Sequence, residues 1–191
     1  LFTKNLEEDL KRRDFTINAM AYNEQTGMVD IFGGVEDLNN KIIRCVGVAG
    51  ERFDEDALRI MRAFRFSAQL GFSIEENTKL AAAKRAENLK KISAERMRVE
   101  LTKLLLSKNP DRLLWMQKNG ITNIVLPEFD AMLATEQKNG NHLYNVGEHT
   151  LRVIEFVGNP DRQQAYIKET APGYPQEKVV ALEKRSKKEL Q

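Results

Sequence analysis

The amino-acid sequence predicts an α+β fold: a short sheet with helices in the first fifty residues, then a mostly α-helical array. Three observations carry this. Two β-branched runs, Met28-Val29-Asp30-Ile31-Phe32 and Lys41-Ile42-Ile43-Arg44-Cys45-Val46, lie before Gly50, the first stopped by Gly33-Gly34. Beyond Gly50 the apolar residues recur at helical spacing. A length of 191 residues, 41% hydrophobic and 30% charged, suffices for one ordinary domain or two small ones with a real core.

Taken in order, Ile17-Asn18-Ala19-Met20-Ala21-Tyr22 is a short apolar stretch that could open a helix with Thr16 as cap. Asn23 to Gly27 is turn-rich, and the two β-branched runs, joined by the polar segment Val35 to Asn40, look like neighbouring strands. From Glu55 to Leu70, Ala57, Ile60, Met61, Phe64 and Ala68 share one helical face, opposite Asp56, Arg59 and Arg62. Glu75 to Ile92 is helical in composition. Ser93 reads as an N-cap for a helix carrying Met97, Leu101, Leu104 and Leu105, with Glu95 in its first turn. Asn109-Pro110 reads as cap and first position of the next helix, which Gly120 ends. A loop runs through Pro127. His142 to Val157 is expected to be helical and closed by Gly158-Asn159-Pro160; Glu177 to Leu190 is a charged, helical-looking tail.

Composition excludes several classes. The single cysteine, Cys45, cannot pair internally, which points to a reducing compartment and a cytoplasmic location. No apolar run approaches the ~18 residues of a membrane span, and the start has no signal-peptide pattern. The chain begins with Leu rather than Met, so a piece of something longer is expected. A net charge of +2 neither announces nor excludes a nucleic-acid partner, because clustering decides that.

The stretch Arg52 to Phe66 contains the most chemistry. Asp56 and Arg59, three apart, would be neighbours on one helix face, with Arg62 continuing the polar stripe and Arg65 at its margin. One reading is a solvated face with a surface ion pair worth under about 1 kcal/mol. The other is nucleobase recognition. A carboxylate accepts from an exocyclic amino group while a guanidinium donates to the ring acceptor beside it. Cytosine and adenine present that pattern; uracil and guanine present the reverse and would leave buried polar groups unpaired. In the second constellation, Arg12 and Arg13 suit phosphate oxygens bidentately, Asn18 suits a ribose hydroxyl, and Asp14 stands between them. A basic surface pair before a short helix explains the same residues. His142 and His149 are the only histidines, and no His-Asp dipeptide accompanies them, so a metal site within this chain is not expected.

Together these segments resemble the bacterial class II tRNA nucleotidyltransferase (CCA-adding) and poly(A) polymerase family. Asp9 to Ala21, with Arg12-Arg13-Asp14 and Asn18, is similar to its ribose- and triphosphate-contacting motif. Asp30-Ile31-Phe32-Gly33-Gly34 through Asp37-Leu38 to Ile43-Arg44 resembles the following head motif, whose aspartate helps position catalytic elements. Glu55-Asp56-Ala57-Leu58-Arg59 resembles the base-reading neck motif, and Ile92 to Arg96, running on to Glu100-Leu101, the motif that braces it. Asn141-His142 to Leu151 is similar to the opening of the HD-type domain of some members.

The resemblance implies a partial nucleotidyltransferase head over residues 1–48 and a helical neck over 49–108. A helical body with the start of an HD-type domain would span 109–158, with an unassigned tail at 159–191. It implies transfer of CMP and AMP from CTP and ATP onto the tRNA 3′ end, with Mg²⁺ as cofactor and no membrane partner. Arg12, Arg13, Asp14, Asn18, Asp56, Arg59, Arg62 and Arg65 would contact nucleotide, supported by Asp37, Glu55, Glu95 and Arg96. Lysines between Lys84 and Lys108 could meet the tRNA backbone. The family's Asp-x-Asp carboxylates have no counterpart before Asp9, and the HD ligand set stops at His149. Catalysis and Mg²⁺ binding by this chain alone are therefore not expected. Poly(A) addition, an HD phosphohydrolase and a non-catalytic helical RNA-binding piece are the competing readings.

Overall fold

The structure is a computed structural model and describes residues 6–136 and 144–157. It opens with α1 (Leu6–Lys11) and a 3₁₀ turn over Thr16–Asn18, followed by β1 (Met20–Asn23), β2 (Gly27–Asp30), α2 (Gly34–Asn39) and β3 (Ile42–Ile43). α3 (Ala49–Glu55) and the long α4 (Leu58–Leu70) lead to β4 (Ser73–Ile74). The remainder is helical: α5 (Glu76–Lys84), a 3₁₀ segment at Ala86–Lys91, α6 (Ala94–Leu105), α7 (Arg112–Lys118), α8 (Thr122–Val125), α9 (Pro127–Leu133) and α10 (Val146–Val157). The α+β class read from the sequence holds, and so does the change of character near Gly50.

The sheet differs from expectation. The two β-branched runs are not neighbours: β2 pairs antiparallel with β1, Tyr22 opposite Met28, and β3 pairs parallel with β4, Ile42 opposite Ser73. Met20 to Tyr22 is therefore strand, not helix. The reason is local. Asn23 Oδ1 accepts from the Gln25 N–H at 2.8 Å and Gly27 takes φ 74°, which closes a hairpin within a few residues. The parallel β3–β4 pair needs a crossover, and α3 and α4 supply it. The polar segment after Gly33 is helix α2 rather than a connecting loop. Asp30 caps it by accepting from the N–H groups of Gly34 (2.7 Å) and Val35 (2.8 Å). Burial pushes the Asp30 carboxyl up, but the backbone N–H groups of Val35, Gly34, Phe32 and Gly33 outweigh it and hold it below the ordinary carboxylate value. Both glycines are needed. Gly33 sits at φ 73°, and a Cβ on Gly34 would clash with the Thr16 carbonyl.

α4 is the axis of the core. Ile60, Ala63, Phe64 and Ala68 are fully buried against Phe53, Leu89, Leu104 and Met116 from the surrounding helices, so the apolar face read from the sequence is the one that packs. Burying a side chain such as Phe64 contributes about 1.5–3 kcal/mol. The helix expected from Glu55 to Leu70 begins only at Leu58, because Asp56 is extended (φ −149°, ψ 103°) and separates it from α3. Its Oδ1 accepts from the Leu58 N–H at 3.1 Å and supplies a partner to the first turn of α4.

Further along, the helical stretch from Glu75 ends as α5 at Lys84 and continues as 3₁₀. Ser93 is the N-cap of α6 by position, but its side chain makes no capping bond. Asn109 does not cap α7: its Nδ2 donates to the Ala68 carbonyl at 2.8 Å, and the helix begins two residues after Pro110. The segment through Pro127, expected to be loop, is helical on both sides, with Pro127 at the first position of α9. The helix expected from His142 begins at Val146. His142, the stop at Gly158-Asn159-Pro160 and the helical tail from Glu177 lie outside the described residues.

Candidate functional site

Between the end of α1, the 3₁₀ turn, the α3–α4 junction and the start of α6 lies an open cavity of about 460 Å³. It is lined by Arg12, Arg13, Asp14, Asn18, Asp56, Leu58, Arg59, Arg62 and Arg96. Five arginines face two aspartates there, an excess of positive charge suited to a polyanion. Seven of the eight residues read from the sequence as contact candidates come together although they span more than forty positions.

On the wall built from residues 9–18, Asp9 of α1 holds both arginines. Arg12 Nη2 donates to its Oδ1 at 2.9 Å and Arg13 Nη2 to its Oδ2 at 2.8 Å. Those bonds, Arg13 first, hold the Asp9 carboxyl below its ordinary value. Asp14 is buried and works as a junction. Its Oδ1 accepts from the Phe15 N–H (2.9 Å) and Asn18 Nδ2 (3.2 Å); its Oδ2 accepts from Arg62 Nε (2.7 Å) and Nη2 (2.5 Å). Asn18 thus spends an amide hydrogen on Asp14, and its carbonyl oxygen is left as an acceptor. Arg62, read as a nucleotide contact, lines the cavity and reaches across forty-eight positions to Asp14.

The opposite wall is the α3–α4 junction. Arg96 Nη2 donates to Asp56 Oδ2 at 2.9 Å, so the brace on Asp56 comes from α6. An ionised carboxylate has about four lone-pair sites, and Arg96 and the Leu58 N–H occupy only two. Arg59 Nη1 donates to Glu55 Oε2 (2.7 Å) and to the Arg52 carbonyl (3.3 Å); its Nη2 donates to the Arg12 carbonyl (3.1 Å). Of a guanidinium's five N–H donors, this leaves the Nε–H and one Nη2–H for a ligand. Both residues line the cavity, and each keeps hydrogen-bonding capacity, Asp56 as acceptor and Arg59 as donor, without losing the bonds that hold it.

The other candidates sit elsewhere. Arg65 does not line the cavity: it is buried, with Nε donating to Glu100 Oε2 at 2.5 Å and Nη1 to Gln69 Oε1 at 2.7 Å. One turn of helix carries it to the α6 side of α4, where a carboxylate was already placed. Asp37 is buried behind the first wall, accepting from Thr16 Oγ1 (2.7 Å) and Arg44 Nε (3.0 Å), and this pairing raises the Arg44 pKa. Glu95 is exposed in the first turn of α6. His149 lies on α10, its N–H donating to the Asn145 carbonyl. Among the described residues no three His, Cys, Asp or Glu side chains gather as a metal-holding group.

Sequence reasoning missed two contributors. Asp9 had a signal, since it stands three and four residues before Arg12 and Arg13 on one helical face. Arg52 had none: its Nη1 donates to the Lys11 carbonyl, a contact across forty-one positions.

Two family models match the chain. One, described as "Poly A polymerase head domain", covers residues 1–44; the other, "Probable RNA and SrmB- binding site of polymerase A", covers residues 71–133. The CCA-adding enzyme of Lactobacillus delbrueckii subsp. bulgaricus is 56% identical over 108 residues, 56% of this chain and 27% of that protein. That of Streptococcus agalactiae is 58% identical over 106 residues, 56% of this chain and 26% of that protein. The structure of the Bacillus stearothermophilus CCA-adding enzyme in complex with CTP superimposes with a TM-score of 0.65 at 35% identity, covering 96% of this chain and 44% of that one. The Thermotoga maritima CCA-adding enzyme complexed with tRNA-CCA gives a TM-score of 0.59 at 29% identity, covering 86% of this chain and 37% of that one. The match thus spans about a quarter of the curated relatives and under half of those solved structures.

Proposed function

The chain belongs to the family of CCA-adding enzymes and poly(A) polymerases, and from that premise we propose that it is the nucleotide-selecting part of a tRNA nucleotidyltransferase that adds CMP and AMP to the tRNA 3′ end. The observation that carries this reading is the basic cavity in which residues from separate sequence motifs meet. In it Arg12 and Arg13 hold the triphosphate of CTP or ATP, and the Asn18 carbonyl accepts from a ribose hydroxyl. Asp56 accepts from the exocyclic amino group of the base while Arg59 donates to the acceptor beside it. Asp14, Arg62 and Arg96 keep these groups in place, and Asp37, Glu55 and Glu95 support the surrounding elements. Arg65 holds α4 to α6 and does not touch nucleotide.

Residues 1–48 act as the head portion, 49–108 as the neck and 109–158 as the body; residues 159–191 have no assigned role. The RNA-binding match over 71–133 crosses the border between neck and body, so tRNA contacts are drawn from both. Mg²⁺, which this chemistry uses in the family, does not fit the described residues, and no step here runs through it. The chain alone selects nucleotide and does not transfer it. Among the described residues no helix is long and apolar enough to cross a membrane, and the cytoplasm, where tRNA is available, is the proposed location. Adenylate addition of the poly(A) type is the second reading, favoured by the description of the head match over residues 1–44.

Titration of the chain with CTP, ATP and UTP tests the first reading. CTP and ATP should bind in preference to UTP, and Asp56→Ala should erase the preference. A chain that binds ATP but not CTP favours the poly(A) reading. Equal binding of all three, unchanged in Asp56→Ala, would refute base selection.

A further inference from the structure

We propose that Arg52 is a positioning residue that locks the phosphate-binding turn to the base-reading arginine, so that one rigid unit meets both ends of a nucleotide. The proposal rests on the nucleotide-binding reading above. Arg52 is the middle residue of α3 and does not line the cavity. Its Nη1 donates to the carbonyl of Lys11, the last residue of α1, at 3.2 Å. Its Nη2 pairs with Glu55 Oε1 at 2.5 Å. The other oxygen of that carboxylate accepts from Arg59 Nη1, which also donates to the Arg52 carbonyl. Arg59 Nη2 then returns to the carbonyl of Arg12.

The bonds close a circuit. Two arginines of the α3–α4 junction grip the successive carbonyls of residues 11 and 12, and a shared carboxylate ties the two guanidiniums together. The last carbonyls of a helix have no partner within it, and cations are favoured at that end. Arg52 and Arg59 therefore fix the backbone at the point from which the Arg12 and Arg13 side chains project. The Arg52 Nε–H is buried without a partner, so its two Nη groups alone place the side chain. Arg59 contributes through the same circuit and would affect phosphate as well as base. Only Arg52 separates the two roles, because it lies outside the cavity.

Calorimetric titration of the 191-residue chain with inorganic triphosphate, which has neither base nor ribose, tests this. Arg52→Ala should weaken triphosphate binding about five- to tenfold, the scale of one ordinary hydrogen bond. Arg52→Lys, which keeps the charge but loses the fork, should recover part of it. Arg85→Ala is the control for general loosening: Arg85 ties α3 to α5 through Asp54 at 3.0 Å without reaching the cavity, and its removal should leave triphosphate affinity unchanged. If the alanine variant does not fold, Arg52→Lys must itself bind about two- to threefold more weakly. Unchanged affinity in a folded Arg52 variant, or an equal loss in Arg85→Ala, overturns the proposal and leaves nucleotide binding standing. A wild-type chain that binds neither triphosphate nor CTP overturns both.

Discussion

Arg62 and Arg65 stand three residues apart on the same helix, each paired with a distant carboxylate, and the two pairs do different work. Arg65 and Glu100 are both buried, their side chains 9% and 7% exposed, and they join α4 to α6 inside the molecule. Arg62 is one-third exposed at the rim of the cavity and reaches the buried Asp14. Phe66 lies between them, with the Arg65 guanidinium 3.8 Å and that of Arg62 5.3 Å from its ring centre. Residue type does not separate a structural arginine from a site arginine here. What lies opposite each helix face does.

The comparison is broken most severely at Glu100. Glu100→Ala leaves a buried guanidinium without its carboxylate and should cost about 3–5 kcal/mol of stability in urea unfolding. A cost below about 1 kcal/mol would show that water reaches the pair as it reaches surface pairs. Asp14→Ala is the corresponding change on the site side. It removes the acceptor for Arg62, Asn18 and the buried Phe15 N–H together, and a loss of about 1–3 kcal/mol is expected because Asp14 and Phe15 are buried while Arg62 and Asn18 are partly exposed. Unlike the change at Glu100, it should also weaken CTP binding by the folded chain. Unchanged affinity would make Asp14 purely structural. The smallest effect is at Asp9, half-buried behind Arg12 and Arg13. Its carboxyl is held low, so its contribution to stability is present above the ordinary carboxylate value, near 3.9, and is lost as pH falls through the lower folded value. Asp9→Asn should leave stability at pH 7 nearly unchanged, while NMR titration of Asp9 in the wild type should give a midpoint below the ordinary one. An ordinary midpoint would mean that Arg12 and Arg13 are not held.

Cys45 bonds to neither arginine pair, although it bridges to Phe15, the neighbour of Asp14. Burial pushes its thiol up to about 12, consistent with its place in the core beside Phe15 and Ile43 rather than in any reactive site.

Periodicity was enough to find the buried face of α4, because Ala57, Ile60, Met61, Phe64 and Ala68 follow a helical repeat that needs no distant information. It did not find the break at Asp56, since the apolar repeat runs through it and the interruption depends on one carboxylate capping Leu58. The same limit applies to the sheet. The β-branched runs marked strands, but pairing was set by the turn at Asn23–Gly27 and by the crossover through α3 and α4. Of the candidate site residues, those on the polar face near the junction were legible as a group. Arg65 was not separable from them, because nothing within its own helix shows that Glu100 will stand opposite.

By itself the sequence determined the α+β class, the apolar face of the central helix and the residue types at the site. Each depends on spacing along the chain and on the chemistry of single side chains. The tertiary structure alone decided which acceptor each arginine meets: Asp14 for Arg62, Glu100 for Arg65, Asp56 for Arg96, and the backbone carbonyls of residues 11 and 12 for Arg52 and Arg59. Those bonds join positions thirty-five to forty-eight residues apart. Their partners are brought within reach only once the helices have packed around α4.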